Sequence, residues 1–131
     1  MAQSLPTQPL LLSGNLQKTK YLYLPDSQSM IKVSSKEIIH LEGIRNYTIV
    51  YLRDGKQLLS ARTLKTYEKE LADLDFVRVH KSHLINLNYL LSYDRENATF
   101  LKLKDQKQVL ISRRKRKSFQ ERLNNFEWSN N

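Results

Sequence analysis

The stretch EIIHLEGIRNYTIVYLRDGKQLLSA, residues 37–61, contains three strand-like segments separated by two short connections. The first segment alternates apolar and polar side chains around Ile39 and Leu41. The second, YTIVYL, is dense in the β-branched and aromatic residues that strands favour. The connection after it contains Asp54-Gly55, a strong signal for a tight hairpin. These features predict an antiparallel β-meander with GIRN as an exposed connection between its first two strands.

Helical periodicity replaces the strand pattern in the next segment, TLKTYEKELADL. The apolar residues that fall at helical spacing are Leu64, Tyr67, Leu71 and Leu74. Thr63 precedes them and can serve as the N-cap. Further strand-like segments follow (FVRVH, LLSYD, ATFLKL and QVLIS), and Ser112 can cap a last helix over about residues 113–124. The predicted fold class is mainly β, with short antiparallel strands, one internal helix and one short C-terminal helix.

A single domain accounts for the whole chain, because 131 residues leave little room for a second one. Residues 1–29 are rich in Gln, Ser, Pro and Leu without sustained periodicity, which predicts a tail or a loosely attached arm. Within this arm, YLYL at residues 21–24 is a candidate for a short strand. Residues 30–126 form the predicted domain, and residues 127–131 form a predicted C-terminal tail.

The chain carries a large excess of positive charge. It has 22 Lys and Arg residues against 13 Asp and Glu, a formal net charge of +9 and a pI near 9.8. Residues 100–122 contain nine basic and two acidic side chains, so this segment carries most of the excess. Such a balance predicts a polyanionic partner, either nucleic acid or an anionic membrane surface. Nucleic acid is favoured, because the basic segment lacks a wide apolar stripe with aromatic anchors.

Composition excludes several classes of site. The absence of cysteine excludes disulfides, thiolate metal ligands and cysteine nucleophiles. No apolar run approaches the roughly 20 residues that a membrane span needs. The short leucine run at residues 10–12 has no basic residue before it, unlike a secretory signal. We therefore predict a cytoplasmic protein that has no membrane partner.

The segment HKSH, residues 80–83, is the candidate for a catalytic or metal site. A metal ion would need a third and usually a fourth donor, and the only other histidine is His40. Ser82 has no Gly-x-Ser-x-Gly elbow and no evident orienting acid. Three glycines in the whole chain leave no phosphate-cradling glycine loop. We therefore predict no catalytic activity, no metal and no cofactor, and a metalloenzyme based on this segment is the weakest alternative.

Three connections concentrate side chains that suit DNA: residues 43–48, 80–83 and 112–117. In the first, Arg45 and Asn46 can pair with base edges. Asn46 is equally a residue that tolerates the left-handed conformation of an ordinary turn. The third contains five consecutive cations, whose mutual repulsion on a helix would be relieved by phosphates. Each connection alone is weak evidence for DNA binding.

Taken in order, these segments resemble the LytTR DNA-binding domain, the output module of many bacterial response regulators of two-component signalling. The matching pieces are IIHLEGIRNYTIVYL, TLKTYEKEL, FVRVHKSHLINLNYL and VLISRRKRKSF. The resemblance covers residues 30–126, and its most characteristic part is Arg-x-His-Lys-Ser-x-x-x-Asn at residues 78–86. It implies an elongated stack of small antiparallel sheets, whose inter-strand loops enter successive major grooves on one face of a duplex.

The resemblance also implies which side chains contact DNA. The base-contacting positions match Tyr47 or its neighbour Asn46, Lys81, and Arg114 or its neighbour Arg113. The cations at residues 115–117 are interpreted as phosphate neutralisers. His80 and Ser82 would brace the loop that carries Lys81. The full set of predicted DNA-binding residues is Arg45, Asn46, Tyr47, Lys81, His83, Arg113, Arg114, Lys115 and Lys117.

The predicted function is sequence-specific regulation of transcription through duplex DNA, and the resemblance implies a homodimer on direct repeats. Many family members carry an N-terminal receiver domain, for which residues 1–29 leave no room. The chain is then either a stand-alone regulator, which the start at Met1 favours, or an excised output domain. A separate receiver or signalling protein is a further expected partner. The alternative is a basic β-domain that binds RNA or an anionic protein, although scattered tyrosines do not suit an RNA platform.

Overall fold

Three antiparallel sheets make up the computed structural model, which describes residues 18–129 and the side chains of residues 18–127. The first sheet is a hairpin of β1 (Tyr21–Asp26) and β2 (Ser29–Ser34). The second has the order β5-β4-β3-β7-β6 and comprises β3 (Ile38–Ile44), β4 (Tyr47–Leu52), β5 (Gln57–Ser60), β6 (Phe76–His80) and β7 (His83–Asn86). The third comprises β8 (Leu90–Tyr93), β9 (Phe100–Leu103) and β10 (Gln108–Leu110). The predicted fold class, mainly β with small antiparallel sheets, is confirmed.

The internal helix α1 (Leu64–Glu70) begins where the sequence predicts and ends earlier. The side chain of Thr63 accepts a hydrogen bond from the backbone N–H of Thr66 at 3.3 Å, which is the predicted N-cap. The periodic pattern continues to Leu74, but the residues after Glu70 form turns. Leu74 is nevertheless buried, because this turn returns the chain toward the same core.

The C-terminal helix differs from its prediction at both ends. A 3₁₀ turn, Arg113–Lys115, precedes α2 (Arg116–Ser129). Ser112 occupies the cap position, but its side chain makes no capping hydrogen bond. The helix also continues through the first residues of the predicted tail, because the packing of Phe126 against the core extends the apolar face beyond residue 124.

Strand β1 lies within the segment that the sequence assigns to an N-terminal arm. It pairs with β2 over its full length, and Leu22 and Leu24 are buried in the core while their neighbours face outward. Burial of one leucine side chain contributes about 1.5–3 kcal/mol to the stability of a domain. The ordered domain therefore includes this strand, and a boundary at residue 30 omits part of the core. The rest of the arm, residues 1–17, lies outside the described residues.

The five-stranded sheet is covered on both faces. One core lies between this sheet, the β1–β2 hairpin and α1, and includes Leu24, Leu41, Tyr67, Leu71 and Leu84. The other lies between the sheet, the third sheet and α2, and includes Val79, Ile85, Leu101, Leu103 and Phe119. The pairing of β3 with β4 shifts register between Ile38 and His40. His40 is 1% exposed, because its side of the sheet is also packed.

The C-terminal segment is joined to β6, which is an outer strand of the five-stranded sheet. Arg122 of α2 donates from Nη2 to the carbonyl oxygens of Leu74 and Phe76, each at 3.1 Å. The backbone N–H of Ser112 donates to the carbonyl of Val79 at 2.9 Å. The bond from Ser112 places the segment before α2 beside the end of β6, and the bonds from Arg122 place the middle of α2 beside the start of β6.

Candidate nucleic-acid interface

The structure brings the three predicted DNA-contacting segments together at one end of the strands of the five-stranded sheet. Because β3 is antiparallel to both β4 and β7, the β3–β4 turn and the β6–β7 turn lie at the same end of the sheet. The backbone N–H of Gly43 donates to the carbonyl of Ser82 at 2.9 Å, which joins these two turns. The bond from Ser112 to Val79 joins the second turn to the start of the C-terminal helix.

The β3–β4 turn presents Arg45, Asn46 and Tyr47, all of which are exposed. The residue in the left-handed conformation is Arg45, with φ of 58°, and not Asn46 as the sequence suggested. Gly43 precedes the turn, and a Cβ on it would lie 3.2 Å from the Cβ of Leu64. The glycine therefore allows the first turn of α1 to approach β3 closely.

The β6–β7 turn presents Lys81 to solvent between two histidines. The ring Nδ1 of His80 accepts a hydrogen bond from the backbone N–H of Ser82 at 3.1 Å, so His80 braces the turn as the sequence predicts. Asn86 lies at the opposite end of β7, where it is buried and donates to the carbonyl of Ile38 at 2.9 Å. This bond anchors the far end of β7 to the start of β3.

A layer of rings lies behind this turn on the side away from α1. His40 Nε2 and His83 Nδ1 are 3.3 Å apart, and the ring of His40 stacks on Tyr51 with centroids 4.7 Å apart. The hydroxyl of Tyr51 donates to Glu42 Oε1 at 2.7 Å. Lys107 Nζ lies 3.7 Å from the centroid of the Tyr51 ring. His83, a predicted DNA-binding residue, is half-buried and its Nδ1 faces another histidine rather than solvent.

The protonation states of this layer follow from its burial. Burial, together with the neighbouring charges of His83 and Lys107, lowers the pKa of His40 to about 3. Burial also lowers the pKa of His83. Burial and the hydrogen bond to Glu42 raise the pKa of Tyr51 to about 12. The layer is therefore neutral near pH 7, apart from Glu42 and Lys107 at its ends.

The basic segment at the start of the C-terminal helix has its cations on several sides. Arg113 and Arg114 are exposed, whereas Lys115 and Arg116 are partly buried. Lys117 is exposed and lines a groove between α2 and β8. Neither the 3₁₀ turn nor the first turn of α2 contains an acidic residue. Because the N-terminus of a helix prefers negative charge, a bound anion would stabilise this arrangement.

Sequence reasoning missed two features of the site. Arg78 hydrogen-bonds to the backbone of the β6–β7 turn and pairs with Glu68 of α1. The string at residues 78–86 contained this arginine, but spacing alone gave it no partner. The contact between His40 and His83 joins residues 43 positions apart, and only the strand register brings them together. Among residues 18–129, no three His, Asp or Glu side chains are arranged to hold a metal ion.

The described fold is mainly β and groups exposed cationic side chains at one end of its largest sheet, and comparison with known proteins identifies the family. Residues 28–124 match the model of the LytTr DNA-binding domain. The chain belongs to this family, whose domain binds DNA in transcription regulators, and it has the form of a response-regulator output domain.

Relatives of known identity support this assignment. The chain is 33% identical over 94 residues to the sensory transduction protein LytT of Bacillus subtilis (strain 168), a match that covers 70% of this chain and 39% of LytT. It is 30% identical over 97 residues to the heme-containing CO-sensing transcriptional regulator RcoM 1 of Paraburkholderia xenovorans (strain LB400), a match that covers 72% of this chain and 36% of that protein. The matched region is thus well under half of either relative.

A solved structure shares the fold. The LytTr DNA-binding domain of a response regulator from Bacillus cereus superposes with a TM-score of 0.70 at 20% identity, over 79% of this chain and 95% of that one. Within residues 18–129, no helix is both long and apolar enough to cross a membrane.

Proposed function

We propose that the chain is a sequence-specific regulator of transcription that reads duplex DNA with three loops placed in successive major grooves. The observation that carries this proposal is the pair of backbone hydrogen bonds, from Gly43 to Ser82 and from Ser112 to Val79. They tie together the three segments that carry the exposed polar and cationic side chains. A set of such side chains held close together in fixed positions can make base-edge and phosphate contacts at the same time.

The proposed roles divide the interface into reading and positioning contacts. Tyr47, Lys81 and Arg114 are exposed at the three loops and would contact base edges, where an arginine pairs well with guanine. Arg45, Asn46 and Arg113 are exposed beside them and would support these contacts. Lys115, Lys117 and His83 would lie near the phosphates, where they set affinity rather than sequence preference.

The proposal extends to partners and setting. The named relatives are a sensory protein and a CO-sensing regulator, which supports a role as the output of a signalling system, with the signal supplied by a separate receiver or sensor. A homodimer on direct repeats, a stand-alone architecture and a cytoplasmic location stay predictions. We propose that the protein regulates by binding and has no catalytic activity.

Selection of bound duplexes from a random pool tests this proposal directly. We expect enrichment of one motif, present as a pair of direct repeats about one helical turn apart. A matched selection with Lys81→Ala should lose preference at one position of each repeat, because a single loop has lost its contact. A pool that emerges without any enriched motif would refute sequence-specific reading.

A competition experiment separates the proposal from its alternative. A basic β-domain for RNA would bind single-stranded RNA at least as tightly as the selected duplex. We expect the selected duplex to compete far more effectively than RNA of the same length. Equal competition by the two would favour the RNA-binding alternative.

A further inference from the structure

Arg78 occupies a central position behind the β6–β7 turn. It lies in β6, and its side chain is 18% exposed. Its Nε donates to the carbonyl of His80 at 2.9 Å, and its Nη2 donates to the carbonyl of Lys81 at 2.5 Å. Its Nη1 donates to Glu68 Oε1 at 2.6 Å. A single planar group therefore holds two consecutive carbonyls of the turn and one carboxylate of α1.

These bonds fix the backbone at the residue that carries the proposed base contact. The pairing of β6 with β7 shifts register between Arg78 and His80, so regular ladder bonds do not by themselves define the turn. The guanidinium bonds the peptide groups immediately before and after the Cα of Lys81. Because its donors lie in a rigid plane, it can hold both carbonyls with little loss of entropy.

Glu68 connects this brace to the core. It belongs to α1, whose neighbouring Tyr67 is fully buried and donates to Ser60 Oγ at 2.6 Å. The position of α1 is therefore fixed. The ion pair between Glu68 and Arg78 then fixes the turn relative to α1. Nε, Nη1 and Nη2 of Arg78 each donate one hydrogen bond within the protein, which accounts for three of the five N–H groups of the guanidinium and favours a supporting role.

We propose that Arg78 and Glu68 are positioning residues that set the placement of Lys81 and thereby its sequence preference. This inference rests on the proposed function, because it concerns how one of the three loops reads DNA. Neither residue contacts DNA in this scheme. Their effect passes through the two turn carbonyls to Lys81, and through Ser82 to the adjoining β3–β4 turn.

A second ion pair on the same helix provides a matched control. Arg62 Nη2 lies 2.8 Å from Glu70 Oε1, and this pair joins α1 to the segment that precedes it. Arg62→Gln removes the same charge from the same region as Arg78→Gln. It leaves the bonds to the β6–β7 turn intact.

The test measures affinity for the selected duplex and for a scrambled duplex. The variants are Arg78→Gln, Arg78→Lys, Glu68→Gln and Arg62→Gln, each alone and combined with Lys81→Ala. We expect Arg78→Gln to lower the ratio of the two affinities roughly tenfold, the order of one base contact. In the Lys81→Ala background it should lower the ratio no further, because both changes disable one contact. Arg78→Lys should restore part of the ratio, and Arg62→Gln should leave it unchanged.

Amide hydrogen exchange provides a readout that requires no DNA. The N–H groups of Ser82 and Gly43 are bonded within and across the turn. We expect both to exchange faster in Arg78→Gln and Glu68→Gln than in Arg62→Gln, at matched global stability. If Arg78→Gln fails to fold, Arg78→Lys and Glu68→Gln give the same comparison.

The outcomes distinguish the inference from the function on which it rests. A wild type without preference for any duplex would overturn the proposed function. If Lys81→Ala loses the preference for the selected duplex but Arg78→Gln keeps it, the inference alone would be overturned. Unchanged exchange at Ser82 and Gly43, or losses from Arg78→Gln and Lys81→Ala that add in full, would overturn it as well.

Discussion

Arg45 adopts a left-handed backbone conformation although it has a Cβ. The next residue, Asn46, is of a type that tolerates this conformation more readily. Such a conformation costs about 1–3 kcal/mol in a residue other than glycine, and it persists only when the surrounding structure fixes it. The flanking residues Ile44 and Tyr47 pair directly and supply that constraint. The turn is therefore specified by strand pairing, and residue preference alone could not have located its strained position.

Arg114 and Lys115 are adjacent cations for which we expect different effects on DNA binding. Arg114→Ala should cost roughly 1–3 kcal/mol for the selected duplex and relax base preference at one position. Lys115→Ala should weaken selected and random duplexes alike and reduce the salt slope by about 0.9, because one phosphate contact is lost. Titrations of both duplexes over a series of salt concentrations give both quantities. Equal effects of the two substitutions on specific and random binding would contradict this division.

At the level of elements, local sequence was sufficient where a strand is rich in β-branched and aromatic residues. YTIVYL and FVRVH match the observed bounds of β4 and β6, and the Asp54-Gly55 connection lies between β4 and β5 as predicted. Strand β1 was assigned to an arm because its neighbours lack periodicity. The burial of this strand depends on its pairing with β2 and its packing near β5, and neither contact can be predicted from composition.

Two substitutions in β1 test whether this strand belongs to the domain. Leu24 is fully buried, so Leu24→Ala should lower the free energy of unfolding by about 2–5 kcal/mol. Tyr23, its neighbour, is 63% exposed, so Tyr23→Ala should change it by less than about 1 kcal/mol. Urea denaturation followed by circular dichroism measures both values. Similar small effects of the two substitutions would show that β1 is dispensable.

At the scale of the whole molecule, the site is assembled by topology. The order β4-β3-β7-β6 brings two turns together, and the C-terminal segment adds the third through Ser112. The sequence supplied the identity of the loops and, by resemblance, the hypothesis that they contact DNA together. It could not supply the contacts that support these loops. The contact of His40 with His83 joins residues 43 positions apart, and the bond of Arg78 to Glu68 depends on how β6 folds back against α1.

The buried histidine layer makes the stability of the domain depend on pH. His40 has a pKa of about 3 in the folded protein against 6.5 when unfolded, so the unfolded chain binds the additional proton. Stability is full above pH 6.5 and is lost as pH falls toward 3, by about 2 kcal/mol at pH 5 from His40 alone. His83, whose pKa is also lowered, adds to the loss in the same direction.

The substitution His40→Gln isolates this contribution. The free energy of unfolding, measured by urea denaturation between pH 7 and pH 5, should fall less steeply in the variant than in the wild type. The carboxyl groups of Asp73 and Asp94, whose pKa values are lowered by hydrogen bonds to Lys20 and Thr99, titrate below this window. An identical slope in both proteins would show that His40 is not the group responsible.

The bonds from Arg122 and Ser112 to the carbonyls of Leu74, Phe76 and Val79 have a consequence for self-association. An outer strand with unpaired peptide groups can pair with a strand of another molecule. Proteins commonly prevent this pairing with charged side chains or by covering the strand. Here a guanidinium and a helix start occupy acceptors along β6. Extension of the sheet by a strand of a neighbouring molecule is thereby discouraged at β6, so high local concentrations of the protein need not lead to fibrous assembly.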